Sequence, residues 1–238
     1  MKILIIRHGD PDYSIDSLTE KGFREAKLLS ERLNKIHIDA FYSSPLGRAK
    51  DTAKPTMDLK NASYTVLDWL KEFSGYVKSP WSGKDRIAWD LPPSYWTGNK
   101  NFLDSEKFLA DDLIKNGTVI DVLNETHKGI YELLKKHGVT KCGLKYILNE
   151  KAAEKEETIA LFCHCGMGLA IISYLTGLPL IISWHNLFLP TSSVTTLITE
   201  TDREGASHFK CIQIGDTSHL YAGGEEVSKS GLYPDFYK

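Results

Sequence analysis

The sequence predicts an α/β fold, a doubly wound and mostly parallel sheet flanked by helices and carrying a lid insertion. Three observations predict it. Short runs rich in β-branched residues alternate with stretches whose apolar residues recur at helical spacing, the signature of stacked strand and helix layers. Arg7, His8, Arg48, Glu72 and His164 stand just beyond such runs, at the carboxyl ends of strands, where open α/β sheets bind ligands. The 238 residues suit one domain of this kind, with the lid placed at about 73–117.

Residues 2–6 form a continuous apolar run suited to a strand buried on both faces, which delivers Arg7-His8-Gly9 to its end. From Thr19, an N-cap residue, Ala26, Leu29, Leu33 and Ile36 share one helical face, while Glu25, Lys27, Glu31 and Arg32 point elsewhere. Residues 40–43 read as a second strand, ended by Ser44-Pro45 before a helix that begins near Leu46 and carries Arg48. A third strand at 64–67 leads to Glu72. A fourth, 158–163, is followed by His164-Cys165-Gly166 and a helix over 167–175; strands at 194–199 and 209–214 close the sheet.

Residues 73–117 have no sustained period and carry Tyr76, Trp81, Trp89, Tyr95, Trp96 and Phe102. Long connections of this kind are often lids, so the segment is placed over the pocket; a small satellite core is the equal alternative. The Lys/Glu-rich stretch 149–157 reads as a solvated helix or a linker. His185 and His219 read as structural histidines.

A formal net charge of −2 offers no global attraction for nucleic acid or acidic membranes, so neither is expected as a partner, and any phosphate-binding charge must be local. The apolar run at 3–6 is too short for a signal-peptide core or a membrane span. Four cysteines, Cys142, Cys163, Cys165 and Cys211, are too few for a disulfide framework and lack paired CxxC spacing. Reduced thiols and a cytoplasmic location are the expectation. No HxH, HxxxH or HxD pair lies near the motifs, so neither a metal nor another cofactor is expected.

Taken in order, the motifs resemble the histidine phosphatase superfamily, also called the phosphoglycerate mutase-like family. Arg7-His8-Gly9 directly follows the first strand, and Leu18-Thr19-Glu20-Lys21-Gly22 continuing to Ala26 resembles the family's first helix. Ser43-Ser44-Pro45-Leu46-Gly47-Arg48-Ala49 is similar to its second arginine motif, Glu72 stands where its acid is expected, and Cys163-His164-Cys165-Gly166 resembles its second-histidine motif. Gly215-Asp216-Thr217-Ser218-His219-Leu220 is similar to the last turn of the domain. Two departures stand out: Cys165 where glycine is commoner, and Asp10-Pro11 where many members have Glu and a hydroxyl residue.

The resemblance implies a phosphomonoesterase acting on a small phosphorylated substrate through a phosphohistidine. A phosphate monoester carries close to two negative charges at neutral pH. Arg7 and Arg48 would offset them through planar bidentate forks, with protonated His164 as a further donor and Cys165 contributing its backbone N–H. Neutral His8 would be the nucleophile. Glu72, its pKa raised under the lid, would protonate the leaving alkoxide, with Asp68 and Asp10 as alternatives. Phosphoglycerate mutase-type transfer and a catalytically silent phosphate-binding module are the competing readings. A cysteine-dependent phosphatase fails, because the arginine required six residues after Cys165 is Ile171.

Overall fold

The computed structural model describes residues 1–92, 95 and 98–232. Trp96, one of the expected lid aromatics, lies outside them. Strand β1 (Lys2–Arg7) sends alternate residues to opposite faces: Ile3 and Ile5 enter one apolar cluster, Leu4 and Ile6 another. This two-sided burial is why the run is continuously apolar. Two short strands follow, β2 (Pro11–Asp12) and β3 (Ser17–Leu18), which pair as a small hairpin beside the end of β1.

Helix α1 (Glu20–Asn34) starts as expected, the Thr19 hydroxyl accepting from Gly22 N–H at 3.1 Å. Its buried face includes Ala26, Leu29 and Leu33, and Ile36 lies just past its end, half-buried. Glu25 departs from expectation, since it is fully buried rather than turned outward. Strand β4 (Ala40–Ser43) and helix α2 (Gly47–Lys60) come next, α1 and α2 together covering the Leu4/Ile6 face. The third expected strand is only two residues long, β5 (Thr65–Val66), before a 3₁₀ turn at Asp68–Leu70 that leads to Glu72.

Residues 73–117 hold a hairpin, β6 (Tyr76–Lys78) with β7 (Asp85–Ile87), and two short helices, α3 (Ser105–Ala110) and α4 (Asp112–Lys115). Phe73, Val77, Ala88, Leu91, Phe102, Phe108 and Ile114 are buried in the same cluster as Ile3 and Ile5. Tyr95, Phe102 and Phe108 pack in sequence, the first pair tilted and the second edge to face, with centroids 6.0 and 5.7 Å apart. Of the two readings of these aromatics, packing is what most of them do, and Trp81 alone of those described remains well exposed.

The elements between residues 119 and 148 have no counterpart in the sequence reading. Helix α5 (Val119–Lys136) buries Val119, Leu123, Thr126, Ile130, Leu133 and Leu134, a clear helical period. Strands β8 (Val139–Cys142) and β9 (Lys145–Leu148) form a hairpin whose turn uses Gly143 at φ +66°. Helix α6 (Glu150–Glu154) is short and has no buried residue, in keeping with a solvated helix.

Strand β10 (Thr158–Cys163), helix α7 (Cys165–Thr176) and helix α8 (Leu180–Asn186) follow, then β11 (Val194–Thr201), β12 (Ser207–Asp216) and helix α9 (Ser218–Gly223). Among the described residues the main sheet runs β5-β4-β10-β1-β11-β12-β9-β8. The strands from β5 to β1 are parallel, and the half beyond β1 is antiparallel. No helix among the described residues is long and apolar enough to cross a membrane.

Candidate active site

The parallel register assembles the centre. Arg7 pairs with Cys163, so the next residues, His8 and His164, become neighbours; His8 N–H donates to Cys163 O at 3.0 Å. Their ring centroids are 5.1 Å apart. One strand over, Ser44 N–H donates to Phe162 O at 2.9 Å, which brings the Ser44 hydroxyl within 2.7 Å of His164 Nε2. Arg7, His8 and His164 are all buried.

His8 Nδ1 lies 2.7 Å from Gly9 O. A carbonyl only accepts, so Nδ1 carries the hydrogen and Nε2 keeps its lone pair. Burial holds the His8 pKa well below its ordinary 6.5, the charges of Arg7 and Arg48 add to this, and the Gly9 bond opposes it. His8 is therefore neutral with its nucleophilic nitrogen free.

His164 differs from expectation in its charge. Burial, then His8, Arg48 and Arg7, hold it well below 6.5, so the protonated form is disfavoured. It keeps one donor nonetheless. The Ser44 oxygen accepts from Leu46 N–H at 3.2 Å and can donate its own hydrogen to His164 Nε2; that arrangement places the imidazole hydrogen on Nδ1, which is buried without a partner.

Arg7 donates from Nη1 to Leu189 O at 2.7 Å and from Nη2 to Ser230 O at 3.1 Å, with the Phe188 ring 5.6 Å away. Arg48 donates from Nη1 to Asp16 Oδ1 at 2.5 Å and lies over the Tyr13 ring at 5.4 Å. In both arginines Nε is buried and unpartnered. Leaving a polar group buried without a partner is costly, above all a charged one, and the two guanidinium Nε atoms with His164 Nδ1 form a set that an anion would satisfy.

Glu72 is half-buried, and its Oε1 accepts from Phe73 N–H at 2.8 Å and from Met167 N–H at 2.9 Å, on the first turn of α7. Burial raises its pKa above the ordinary 4.5 against those two bonds and the pull of Arg7 and Arg48. Oε2 makes neither bond. Cys165 opens α7, its thiol pushed up by burial and so unreactive. Trp89 comes from the 73–117 segment to lie against Gly166, where an added Cβ would meet its Nε1 at 2.5 Å, and it donates to Phe73 O at 3.0 Å.

Of the alternatives to Glu72, Asp68 is exposed and lies in the 3₁₀ turn, while Asp10 accepts from the Thr19 hydroxyl at 2.7 Å and bonds to Ser228. Four supporting residues carried no sequence signal of their role. Thr52 accepts from Gly9 N–H at 2.9 Å, Ser44 meets His164, Asp16 meets Arg48, and Glu25 accepts from Asp10 N–H at 2.9 Å and the Thr191 hydroxyl at 3.1 Å. His219 contacts Ser192 Oγ at 3.2 Å, and Ser192 N–H donates to His8 O, a structural placement. Behind His8, Gly9 and Gly22 touch backbone to backbone: a Cβ on Gly9 would meet Gly22 O at 2.8 Å, and one on Gly22 would meet Asp10 O at 2.2 Å.

Residues 3–102 match the model of the histidine phosphatase superfamily (branch 1). The chain is 32% identical over 92 residues to phosphoserine phosphatase 1 of Hydrogenobacter thermophilus, covering 35% of this chain and 42% of that one. It is 42% identical over 72 residues to a 2,3-bisphosphoglycerate-dependent phosphoglycerate mutase of Thermoplasma acidophilum, covering 26% and 36%. The match thus spans less than half the length of either relative. The structure of Entamoeba histolytica phosphoserine phosphatase in complex with 3-phosphoglyceric acid shares the fold, with a TM-score of 0.58 at 22% identity over 92% of this chain and 98% of that one. The match to the superfamily model thus covers the segment that carries Arg7, His8, Arg48 and Glu72, and the likeness to the solved structure shows the fold.

Proposed function

We propose that the protein is an acid-phosphatase-type phosphomonoesterase that forms a phosphohistidine on His8 and acts on a small phosphorylated substrate. The observation that carries this reading is the free Nε2 of neutral His8, set among unpartnered donors of Arg7, Arg48 and His164. Those donors bind the phosphoryl oxygens and offset their charge. Nε2 attacks phosphorus; the N–P bond forms as the ester P–O bond breaks, and the Glu72 proton passes to the departing alkoxide. Water then attacks phosphorus and gives its proton to the Glu72 carboxylate. The N–P electron pair returns to Nε2, and inorganic phosphate leaves.

The same chemistry would serve a mutase, the activity named for the Thermoplasma relative. A mutase must keep water from its intermediate under a closed cationic cover. In the proposed lid three of the cations are paired with carboxylates: Lys78 with Asp85, Arg86 with Asp90, and Lys107 with Asp104. This favours hydrolysis. Action in the cytoplasm is part of the reading, supported by the buried free thiols of Cys163 and Cys165.

The test compares phosphate release with isomer interconversion for 3-phosphoglycerate, beside a panel of phosphoserine and of sugar, nucleotide and aryl phosphates. Hydrolysis of at least one small monoester with little interconversion is expected. Interconversion outrunning release establishes the mutase, and no turnover of any panel member establishes the silent module.

A further inference from the structure

The turn of the β2–β3 hairpin ends in a residue with an unusual position. Asp16 has φ +49°, in the left-handed region, and its carboxylate spans two parts of the segment opening α2: Oδ1 accepts from Arg48 Nη1 at 2.5 Å and Oδ2 from Gly47 N–H at 2.7 Å. Helix α2 has no side-chain cap of its own, because the residue before it is Leu46, whose side chain has no acceptor for an orphan N–H. The hairpin backbone is pressed onto this turn as well, since a Cβ on Gly47 would meet Asp16 O at 2.1 Å. On another side of the guanidinium lies the Tyr13 ring.

We propose that Asp16 is a positioning residue that locks Arg48 for phosphoryl binding, so that the hairpin, and not α2 alone, sets the geometry of the anion site. This rests on the phosphatase reading of the same site. Arginine carries high rotamer entropy, and a phosphate binds tightly only where that cost is met before it arrives. Asp16 meets it with one oxygen, while Arg48 Nε stays unpartnered and free for the ligand.

A carboxylate beside an anion site has a second possible role, as a competitor for Arg48, and the two roles predict opposite signs. Removing a negative charge near the site would by itself tighten phosphate binding. The Asp16 side chain is 43% exposed, however, so water and salt screen its repulsion, whereas loss of its bond frees the guanidinium outright. Positioning is the larger effect.

The experiment measures inorganic phosphate binding by calorimetry, and separately turnover of an aryl phosphate, in the wild type, Asp16→Asn, Asp16→Gly, Arg48→Ala and Arg48→Ala combined with Asp16→Asn. Asparagine and glycine both accept the left-handed backbone, and the amide oxygen cannot serve Arg48 and Gly47 as two carboxylate oxygens do. Both Asp16 variants are expected to bind phosphate ~5-fold more weakly, and Asp16→Asn is expected to add nothing further once Arg48 is gone. Equal or tighter binding in the Asp16 variants overturns the proposal and makes Asp16 a competitor. A loss that persists without Arg48 overturns it in favour of a helix-capping role. Failure of both Asp16 variants to fold overturns it too, because the carboxylate then holds the fold. A wild type that neither binds phosphate nor hydrolyses the ester defeats the phosphatase reading itself, a result distinct from all of these.

Discussion

Glu72 accepts a hydrogen bond from the backbone N–H of Met167, three residues past His164. One oxygen of the proposed acid is thereby fastened to the helix that begins at the second histidine, and the two move together. The other oxygen is left to carry a proton.

Glu72→Gln is therefore expected to lower turnover of an alkyl phosphate by ~10²-fold or more and of an activated aryl phosphate far less, because a phenolate departs without a proton. Since burial raises the Glu72 pKa, the acid form persists above pH 4.5, and alkyl turnover falls only as pH rises through that raised value. Steady-state rates for the two substrates across pH decide it. Equal losses would assign Glu72 a structural role.

For His8→Ala, turnover is expected to vanish while the circular dichroism spectrum is kept. Brief exposure of the wild type to substrate yields a phosphoprotein that is labile in acid and stable in base. Label found on Cys165 would refute the assignment of His8.

Acid should destabilise the fold through its histidines. Burial lowers His127, His185 and His219 to about 4, and His8 and His164 are also held well below 6.5. Between 6.5 and about 4 these histidines bind more protons in the unfolded chain than in the folded one. The stability these groups contribute is complete above pH 6.5 and is lost as pH falls toward 4. Urea midpoints measured from pH 7.5 downward give the slope, and His127→Gln should reduce it. A midpoint that stays flat down to about pH 5 contradicts the shifts.

Glu25 gives the opposite sign. Burial raises its pKa above 4.5, so its contribution is full below that value and declines as pH rises through the raised one. Glu25→Gln is expected to flatten this decline and to be tolerated, the amide serving Asp10 N–H with its oxygen and the Thr191 hydroxyl with its nitrogen. Glu25→Leu leaves both without a partner and should cost about 1–3 kcal/mol in chemical denaturation. Equal stability of the two variants would show that the buried bonds contribute nothing.

The strands that carry Arg7, His8 and His164 were legible because each is buried on both faces and so reads as an unbroken apolar run. The placement of Glu25 was not. At the position next to Ala26 the helical pattern assigns a glutamate to water, and only the hydrogen bonds from Asp10 and Thr191, residues distant in the chain, bring it inside. Asp16 was missed for a similar reason: its partner Arg48 is 32 residues away and is met through a hairpin too short to leave a pattern. Helix α5 carries a readable period in Val119, Leu123, Ile130 and Leu134. The charge of His164 follows from burial beside two arginines and another histidine, which no local spacing encodes.

The backbone contact between Gly9 and Gly22 makes α1 mechanically continuous with the loop after His8. Most helices ride on side chains that can change rotamer, and small displacements are absorbed there. Here main chain bears directly on main chain, with Glu25 bolting Asp10 to the same helix one turn later. A tilt of α1 by a fraction of an ångström has no cushion to dissipate in and arrives at the imidazole as a change of aim. The helix thus acts as the mount of a precision instrument, and its stiffness belongs to the proposed site as much as Arg7 and Arg48 do.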